Sequence, residues 1–538
     1  MKRNILALLL AAIMLLGMAP AMAEDKPVLV VGIPDAPLVE DFETNYQTLL
    51  IEETCGVDLT FVRMPNDSKE ALQKYEMMVL AGGDDLPDVI IQNDLGGLVA
   101  LQQYAEMGMV VPLTKYFEDE DGLPYLKESL ANMPIIPLSF EQYKTFLTSP
   151  DGEIYAFGKG FLSVNNSLAN CRLMIYKPWL DALNLEVPTT TEEFYEVLKA
   201  FKEKDPNGNG IADEIPLITN NTRVNNQQLK ALMNPFVFTQ GNYVMNVDGK
   251  LEVVATTEGW KEGLKYVKKL VDEELYNTLS FTQDQAQLTA LMSGDVQVVG
   301  CMGSNTTSFL AASNPDRENY VIVGALEGPT GLKQQPQSLN VPSPAFVVTK
   351  NCKDVDAAVR VADFISSITI NDLSRYGREG IEYVRLAEPK KSMYDALGFK
   401  GEIEEVNQVW GTKHNVHWCQ IGNTLGDGST ITYRVADVTI EGNYNQSRPI
   451  GATIYRELEA VNAEAGVYGL VFTVEEQEVV NEFRSTIEDA VVAYYAEFVT
   501  VEKDIEKEWD NYVKAIEAMG LEPYMEAMQS CWDRMNGK

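Results

Sequence analysis

The sequence predicts a large α/β protein with a parallel sheet and a helical C-terminal region. Near its start, the apolar segment 27–33 (PVLVVGI) predicts a strand, residues 68–80 a helix, and residues 89–91 a second strand. A strand, a helix and a strand joined by short connections form a βαβ unit, which places its strands parallel in one sheet. The last third of the chain instead shows helical apolar periodicity.

Apolar spacing and glycines in the sequence predict where the helix of this unit begins and ends. In the predicted helix 68–80, Leu72, Tyr75 and Val79 recur at helical spacing, and the pair Gly82–Gly83 ends the pattern. Further elements are predicted along the middle of the chain: a turn and strand at 151–161, helices at 190–201 and 260–271, and strands at 296–301 and 339–349.

Two helices carry the sequence pattern of a capping box. Thr190 is followed three residues later by Glu193, and Thr473 by Glu476. After the second box, five apolar residues at helical spacing predict a buried stripe: Val480, Phe483, Ile487, Val491 and Tyr494. Trp260 lies on the apolar face of helix 260–271, which predicts that it is a core residue.

Length and charge limit the possible functions. The chain has 538 residues and a formal net charge of −36, with 43 Lys and Arg against 79 Asp and Glu. Its length favours two large domains. Nucleic-acid binding is excluded, because contacts to phosphates need clustered basic residues. We expect a monomer.

Residues 1–23 are predicted to be a secretory signal peptide. Lys2 and Arg3 precede the almost entirely apolar segment 5–18, and small residues at Ala21 and Ala23 fit a cleavage site after Ala23. We therefore expect an exported protein, either periplasmic or extracellular.

Six cysteines are scattered along the chain without a C-x-x-C pair: Cys55, Cys171, Cys301, Cys352, Cys419 and Cys531. Both buried free thiols and a disulfide between some of them are compatible with an exported chain of this size.

The segment 204–217 (KDPNGNGIADEIPL) predicts a calcium loop. Hard oxygen ligands at alternate positions suit Ca²⁺, and a glycine at the sixth position permits the sharp turn of an EF-hand loop. The twelfth position is Pro216, where an EF-hand has a carboxylate, and Glu214 is the candidate to replace it. An ordinary Gly/Asn turn with incidental acids is the alternative.

At this point the chain resembles a known family. The block YKPWLDALNLEVPTTTEEFYEVLKAFKEKDPNGNGIADEIPL (176–217) resembles the family 1 extracellular solute-binding proteins of ABC importers, in their oligosaccharide-binding branch. Further agreeing segments lie over most of the chain: MVLAGGDDLPDVII (78–91), DGEIYAFGKG (151–160), TTEGWKEGLKYVKKLVDEELYN (256–277), LMSGDVQVVG (291–300) and EKEWDNYVKAIEAMGLEPYMEAMQ (506–529).

The resemblance implies a type II periplasmic-binding-protein-like fold, in which two α/β lobes close on a ligand like a hinge. We expect the N-terminal lobe at 24–157 and 338–395, and the C-terminal lobe at 158–337 and 396–538. It also implies a structural Ca²⁺ in the loop, held by Asp205, Asn207, Asn209, the carbonyl of Ile211, Asp213 and Glu214. Many relatives carry a lipid-modified Cys after the signal peptide, where this chain has Glu24.

Ligands of open parallel sheets bind at the carboxyl ends of strands. Sugars offer C–H faces that stack on aromatic rings and hydroxyls that hydrogen-bond to polar side chains. The candidate ligand-binding residues are Asp35, Gln92, Asn93, Asp94, Tyr155, Lys159, Phe161, Ser304, Asn305, Trp410 and Trp418. Core packing for the aromatics, and strand-end capping for Asn93 and Asp94, are the alternatives.

His414, His417 and Cys419 form an H-x-x-H-x-C pattern, which suggests zinc. No fourth ligand is placed by the sequence, and we expect neutral histidines in a cleft or at the surface instead.

The predicted function is the extracytoplasmic binding component of an ABC importer, which passes an intact solute, most simply an oligosaccharide, to a membrane permease. A binder of peptides or other solutes is the nearest alternative. A secreted glycoside hydrolase would need two carboxyl groups roughly 5–10 Å apart across a cleft. A surface adhesion protein would need wall-binding repeats or a sorting tail, which the sequence does not show.

Overall fold

The computed structural model describes residues 26–91, 95–133, 138–160, 173–220, 226–304, 310–311, 313–335, 341–392, 394–395, 398–409, 411–419, 421, 433, 435, 464–501 and 503–538. The predictions for the signal peptide and for Gln92, Asn93, Asp94, Phe161, Asn305 and Trp410 lie outside the described residues.

The strands are β1 Val28–Pro34, β2 Asp58–Met64, β3 Val89–Ile91, β4 Ala156–Lys159, β5 Leu173–Tyr176, β6 Ile215–Ile218, β7 Val244–Val247, β8 Lys250–Val253, β9 Val299–Gly303, β10 Tyr320–Val323, β11 Ser343–Val348, β12 Tyr383–Lys391 and β13 Lys400–Glu405.

The helices are α1 Tyr46–Cys55, α2 Ser68–Leu80, α3 Gly97–Glu106, α4 Thr114–Glu118, α5 Pro124–Ala131, α6 Phe140–Leu147, α7 Lys177–Leu183, α8 Thr191–Glu203, α9 Asn226–Met233, α10 Glu258–Asp272, α11 Gln285–Leu291, α12 Val355–Ile365, α13 Ile368–Tyr376, α14 Val474–Thr500, α15 Ile505–Ile516 and α16 Glu522–Met535. None of the described helices is both long and apolar enough to cross a bilayer.

The first sheet has five strands in the order β2–β1–β3–β11–β4. β1 runs parallel to β2 and β3, so the predicted parallel pairing of β1 with β3 is confirmed, although α1 and β2 lie between β1 and α2 in the chain. β11 is antiparallel to both of its neighbours, which makes the sheet mixed rather than wholly parallel. Buried residues of this sheet such as Leu29, Val31, Phe157 and Phe346 lie in the first core, while Ile90, Ala156 and Val347 lie in a separate buried cluster.

The second sheet has four strands in the order β10–β5–β9–β6, with β6 parallel to β9 and β5 antiparallel to it. Helices α8 and α10 and the C-terminal helices pack with it into the second core. Trp260 is completely buried there, as predicted. Two sheets with separate cores give the two α/β lobes of the predicted fold.

The C-terminal stripe is largely confirmed. Val480, Ile487 and Val491 are buried in the second core, and both capping boxes form with reciprocal hydrogen bonds. Phe483 and Tyr494 are only partly buried at its margin.

One strand and one domain boundary differ from the sequence prediction. The strand predicted at 296–301 begins at Val299, and Val296 is 45% exposed in the bend before it. Residues 398–419, assigned by sequence to the C-terminal lobe, join the first lobe where they are described: β13 pairs with β12, and Val416 lies in the first core. The other domain boundaries remain a prediction.

Five cysteines have free thiols, and all but Cys419 are buried: Cys55, Cys301, Cys352, Cys419 and Cys531. Cys171 lies outside the described residues.

Candidate ligand-binding site and metal loop

The first sheet presents polar residues at one edge, where the parallel strands end. Asp35 follows β1 and is exposed, while Lys159 ends β4 and is 7% exposed. Ser343 begins the antiparallel β11 and pairs in register with Lys159, so its hydroxyl lies 3.4 Å from the Lys159 carbonyl oxygen. Asp35, Lys159 and Ser343 therefore share one edge.

The second sheet has a matching polar edge. β6 and β9 run parallel, and their carboxyl ends are followed by Asn220 and Ser304. Both residues are buried, at 3% and 8% exposure. Asn220 Nδ2 donates a hydrogen bond of 3.0 Å to Gln285 Oε1, which fixes the position of its amide.

Two chain connections run between these edges. One leaves the first sheet after Lys159 and enters the second at Leu173, which pairs with Gly303. The other leaves β10 at Val323 and enters β11 at Ser343. The edges joined in this way are the carboxyl ends of the parallel strands, where ligands of such folds bind.

Sequence reasoning missed several members of the second edge. Asn220 was not proposed, although a Thr–Asn pair directly follows the strand in EIPLITN. Gln334 and Gln335, at 5% and 7% exposure, were missed as well. They contribute to a small cavity with Leu173, Asn234 and residues 323–326, which only the strand order brings together.

The structure contradicts the prediction that Trp418 binds the ligand. Its side chain is completely buried in the first core, with its ring edge-on to Phe61 at 5.6 Å between centroids. Its Nε1 donates a hydrogen bond of 2.9 Å to Thr48 Oγ1. Neither ring face is available to stack on a sugar, so Trp418 is a core residue.

The structure also contradicts the prediction that Tyr155 binds the ligand. It precedes β4, at the end of the strand opposite to Lys159, and is 6% exposed in a core cluster. Its hydroxyl donates a hydrogen bond of 2.6 Å to Asp151 Oδ2. Burial, together with this hydrogen bond, raises the pKa of Tyr155.

The two histidines of this cluster are buried, at 9% and 1% exposure, rather than placed in a cleft or at the surface. The ligand atoms of His414, His417 and Cys419 lie within 4.8 Å of one another. However, Nδ1 of His414 accepts the Val416 N–H at 3.1 Å, and Nδ1 of His417 accepts the Cys419 N–H at 3.0 Å. A neutral ring whose Nδ1 accepts carries its proton on Nε2, which then cannot bind a metal. This hydrogen-bond pattern disfavours zinc.

The loop at 205–214 is held together by hydrogen bonds among its polar side chains and backbone N–H groups. Amide Nδ2 atoms of Asn207 and Asn209 lie 2.9 and 3.0–3.1 Å from the carboxylate of Asp213. Backbone N–H groups of Asn209 and Gly210 donate to the carboxylate of Asp205. The Oδ1 atoms of Asn207 and Asn209 accept the backbone N–H groups of Asn209 and Ile211, so a half-turn of either amide would give up that bond and turn its oxygen toward Asp213.

Glu214 is the most informative residue of this loop. Its Oε1 is buried and has no hydrogen-bond partner among the described residues. Burial raises the pKa of Glu214, and the nearby charges of Asp205 and Asp213 raise it further. The three carboxylates of this loop, with two amide oxygens after a half-turn of the Asn207 and Asn209 amides, fit a hard cation, which would neutralise the repulsion and complete the contacts of Glu214.

The match to known proteins decides the family. Residues 35–368 match the model of the bacterial extracellular solute-binding proteins. The chain belongs to this family. Because ligands of such folds bind at the carboxyl ends of parallel strands, the two polar edges are the candidate walls of the ligand cleft.

Relatives of this solute-binding protein match over nearly their whole length. The fructooligosaccharide ABC transporter substrate-binding protein FusA of Streptococcus pneumoniae is 26% identical over 502 residues, covering 90% of this chain and 86% of FusA. FusA has been solved with kestose, with a TM-score of 0.67 at 23% identity over 95% and 99% of the two chains, and as an EF-hand mutant with fructo-nystose.

Two other solved structures share the fold. An extracellular solute-binding protein from Bifidobacterium longum subsp. infantis has a TM-score of 0.72 at 23% identity over 94% and 98% of the chains. The alginate-binding protein AlgQ2, solved without calcium ion, has a TM-score of 0.62 at 21% identity over 96% and 99%. The type II periplasmic-binding-protein-like fold is therefore confirmed.

Proposed function

We propose that this solute-binding protein captures an oligosaccharide between its two lobes and delivers it unchanged to an ABC permease in the membrane. The observation that carries the proposal is the pair of polar strand edges joined by both connections. The similarity to FusA over 90% of the chain supports a sugar rather than a peptide as the solute.

The chemistry of the two edges suits sugar hydroxyls. A hydroxyl both donates and accepts hydrogen bonds, and amides and hydroxyls do the same. Asn220 and Ser304 on one lobe and Ser343 on the other are groups of this kind, and Lys159 adds an ammonium that only donates. A ligand that contacts both lobes binds the closed state better than the open one, and so shifts the population toward closure.

We also propose that the loop at 205–214 binds a structural Ca²⁺. The buried, unpartnered Oε1 of Glu214 and the convergence of Asp205 and Asp213 support this assignment. The AlgQ2 and FusA structures are described with reference to calcium and to an EF-hand, which agrees with it. No group near the loop suggests chemistry, so the proposed role of the ion is to hold the loop.

We also propose that the protein is exported and that its signal peptide is removed. Removal of residues 1–23 would leave Glu24 as the first residue of a protein that stays at the cell surface through its permease. Amino-terminal sequencing of the secreted protein tests this point, and a first residue other than Glu24 would correct the cleavage site.

A thermal-shift screen of oligosaccharides and peptides, followed by mass spectrometry of the recovered ligand, tests the main proposal. We expect at least one oligosaccharide to raise the melting temperature and to be recovered with its mass unchanged. Stabilisation by peptides alone would support the peptide alternative. Shortened products would support the glycoside hydrolase.

A further inference from the structure

We propose that the second-lobe edge selects neutral oligosaccharides and excludes oligouronates, and that Gln334 is a specificity-determining residue there. This inference rests on the proposed function. It names the class of sugar that the site takes, a property that the family match alone leaves open.

Within the described part of the chain, the buried side chains at the strand ends of this edge are uncharged, and the exposed Lys333 before Gln334 has a partner of its own. Thr219 and Asn220 follow β6, Ser304 follows β9, and Gln334 and Gln335 lie beside the end of β10. All five are 3–8% exposed. The neighbouring Lys230 is engaged elsewhere, because its ammonium lies 5.4 Å from the centroid of the Tyr243 ring.

Gln334 has an unused donor in this position. Its Nε2 is buried and has no hydrogen-bond partner within the described part of the chain. A buried N–H group without a partner costs free energy, so such groups in folded proteins are normally matched by a solvent or ligand oxygen. A sugar hydroxyl oxygen is a suitable acceptor.

The space beside Gln334 limits what can enter. The cavity bounded by Leu173, Asn234, residues 323–326, Gln334 and Gln335 has a volume of about 10 Å³, which is room for roughly one water-sized group. One hydroxyl fits this volume. A carboxylate is larger, and burying its charge without a cation costs several kcal/mol or more.

The opposite edge and the whole molecule oppose uronates as well. Asp35 presents an exposed carboxylate at the first-lobe edge, and the chain has a net charge of −36. The ammonium of Lys159 could pair with one uronate carboxylate, but an oligouronate carries one carboxylate on every unit. Each further carboxylate meets the neutral buried side chains at the described strand ends of the second lobe or the carboxylate of Asp35, which disfavours binding, and the net charge of the chain slows encounter.

The test compares neutral and acidic sugars of matched length on the full mature protein. Calorimetry with kestose, maltotetraose and lacto-N-tetraose is set against tri- and tetragalacturonate and tetramannuronate. We expect a neutral sugar to bind at least about tenfold more tightly than any uronate, a difference of 1.4 kcal/mol. Tighter binding of a uronate would overturn this inference and leave the proposed oligosaccharide binding intact. Binding of peptides but of no sugar would reject both.

Substitution of Gln334 tests the residue itself. We expect Gln334→Glu to weaken binding of the best neutral sugar about tenfold, because it replaces the amide donor by a buried charge. Gln477→Glu, the same change at a half-buried position of α14 where the amide donates to Asn481 rather than facing the edge, is the matched control and should leave affinity unchanged. If Gln334→Glu does not fold, Gln334→Met keeps the size and removes the donor, and should also weaken binding. Wild-type affinity in a folded Gln334 variant would overturn the assignment.

Discussion

Arg534 binds both carboxylate oxygens of Glu476, with Nη1–Oε1 and Nη2–Oε2 distances of 2.7 and 2.8 Å. This two-pronged ion pair connects the last helix, α16, to the first turn of the 27-residue helix α14. Glu476 also completes the capping box with Thr473. Burial alone would raise the pKa of Glu476, but the hydrogen bonds from Arg534 and Thr473 outweigh it and lower the pKa.

The first prediction concerns this pair. Arg534→Ala should lower the free energy of unfolding by about 1–2 kcal/mol, because a bidentate, charge-assisted pair with a nearly buried carboxylate is worth more than an exposed one. Urea unfolding at pH 7 measures the change. Arg484→Ala, which breaks an exposed pair with Glu488 within α14, is the matched control and should cost about 0.5 kcal/mol or less. Equal losses of unfolding free energy in the two variants would show that the ion pair between α14 and α16 stabilises the protein no more than an exposed pair within one helix.

The sign of the pH dependence follows from the lowered pKa of Glu476. Its contribution is fully present above the pKa of an unfolded glutamate and is lost as the pH falls through the folded value. We therefore expect the difference between wild type and Arg534→Ala to shrink in acid. A difference that is constant from pH 7 to pH 3 would contradict the ion pair.

The second prediction separates the two effects of Glu214. Without calcium, Glu214→Gln should leave stability unchanged or raise it, because it removes a buried charge next to Asp205 and Asp213. In the presence of calcium, the melting temperature of the same variant should rise less than that of wild type, because a neutral amide replaces one carboxylate ligand of the ion. Melting curves in chelator and in millimolar Ca²⁺ measure both; a free calcium level of 100 times the dissociation constant stabilises by about 2.7 kcal/mol.

Glu203→Gln is the control for this experiment. It makes the same charge change in the last turn of α8, at an exposed position outside the loop. It should leave the response to calcium as in wild type. If wild type itself responds equally to chelator and to Ca²⁺, the proposed metal loop is wrong.

Elements with strong local signals could be predicted from the sequence almost to the residue. Helix α2 was predicted at 68–80 and is found at Ser68–Leu80, because glycines at 82 and 83 end it. β2 and α1 were missed. Within the edge strand β2, Phe61 and Val62 are both only partly buried, so the alternation that marks a strand is blurred.

The site could be predicted only in part, because its residues come together through strand order. Lys159 and Ser304 were found because each lies at the end of a predicted strand. Gln334 could not be found, since it lies in no strand and reaches the edge only through the return of the chain after β10. Trp418 was misassigned because its polar sequence neighbours suggest a surface, while its partner Thr48 lies 370 residues away in sequence.

The third prediction concerns His417, which is 1% exposed. Burial, with smaller effects of His414 and Arg375, lowers the pKa of His417 to about 3. The unfolded chain therefore binds this proton at a higher pH than the folded protein, and stability falls by up to about 1.4 kcal/mol per unit as the pH drops below about 6.5. Asp372 acts in the opposite direction, because burial raises its pKa to about 6 despite the charge of Arg385.

Comparison with His417→Gln isolates the histidine, since Asp372 titrates in both proteins. We expect the stability difference between wild type and this variant to narrow from pH 7 to pH 5, measured by urea unfolding. A difference independent of pH would mean that the pKa of His417 is the same in the folded and the unfolded protein, as for a histidine exposed to solvent.

The last prediction concerns the contact between Gly469 and Phe146, which joins the two lobes. Gly469 has a φ of +62° in the segment leading into α14, and a β-carbon there would lie 2.5 Å from Cε1 of the Phe146 ring on α6. Gly56, with a φ of +66° and open space around it, is the matched control. Each Gly→Ala change pays the left-handed strain of roughly 1 kcal/mol, but only Gly469→Ala adds a steric clash. We expect Gly469→Ala to cost at least about 1 kcal/mol more than Gly56→Ala in unfolding measurements.

In the double variant with Phe146→Ala the excess should disappear, because the smaller side chain leaves room for the new methyl group. Additive costs would place Phe146 away from Gly469 in solution, and would mean that the lobes meet elsewhere.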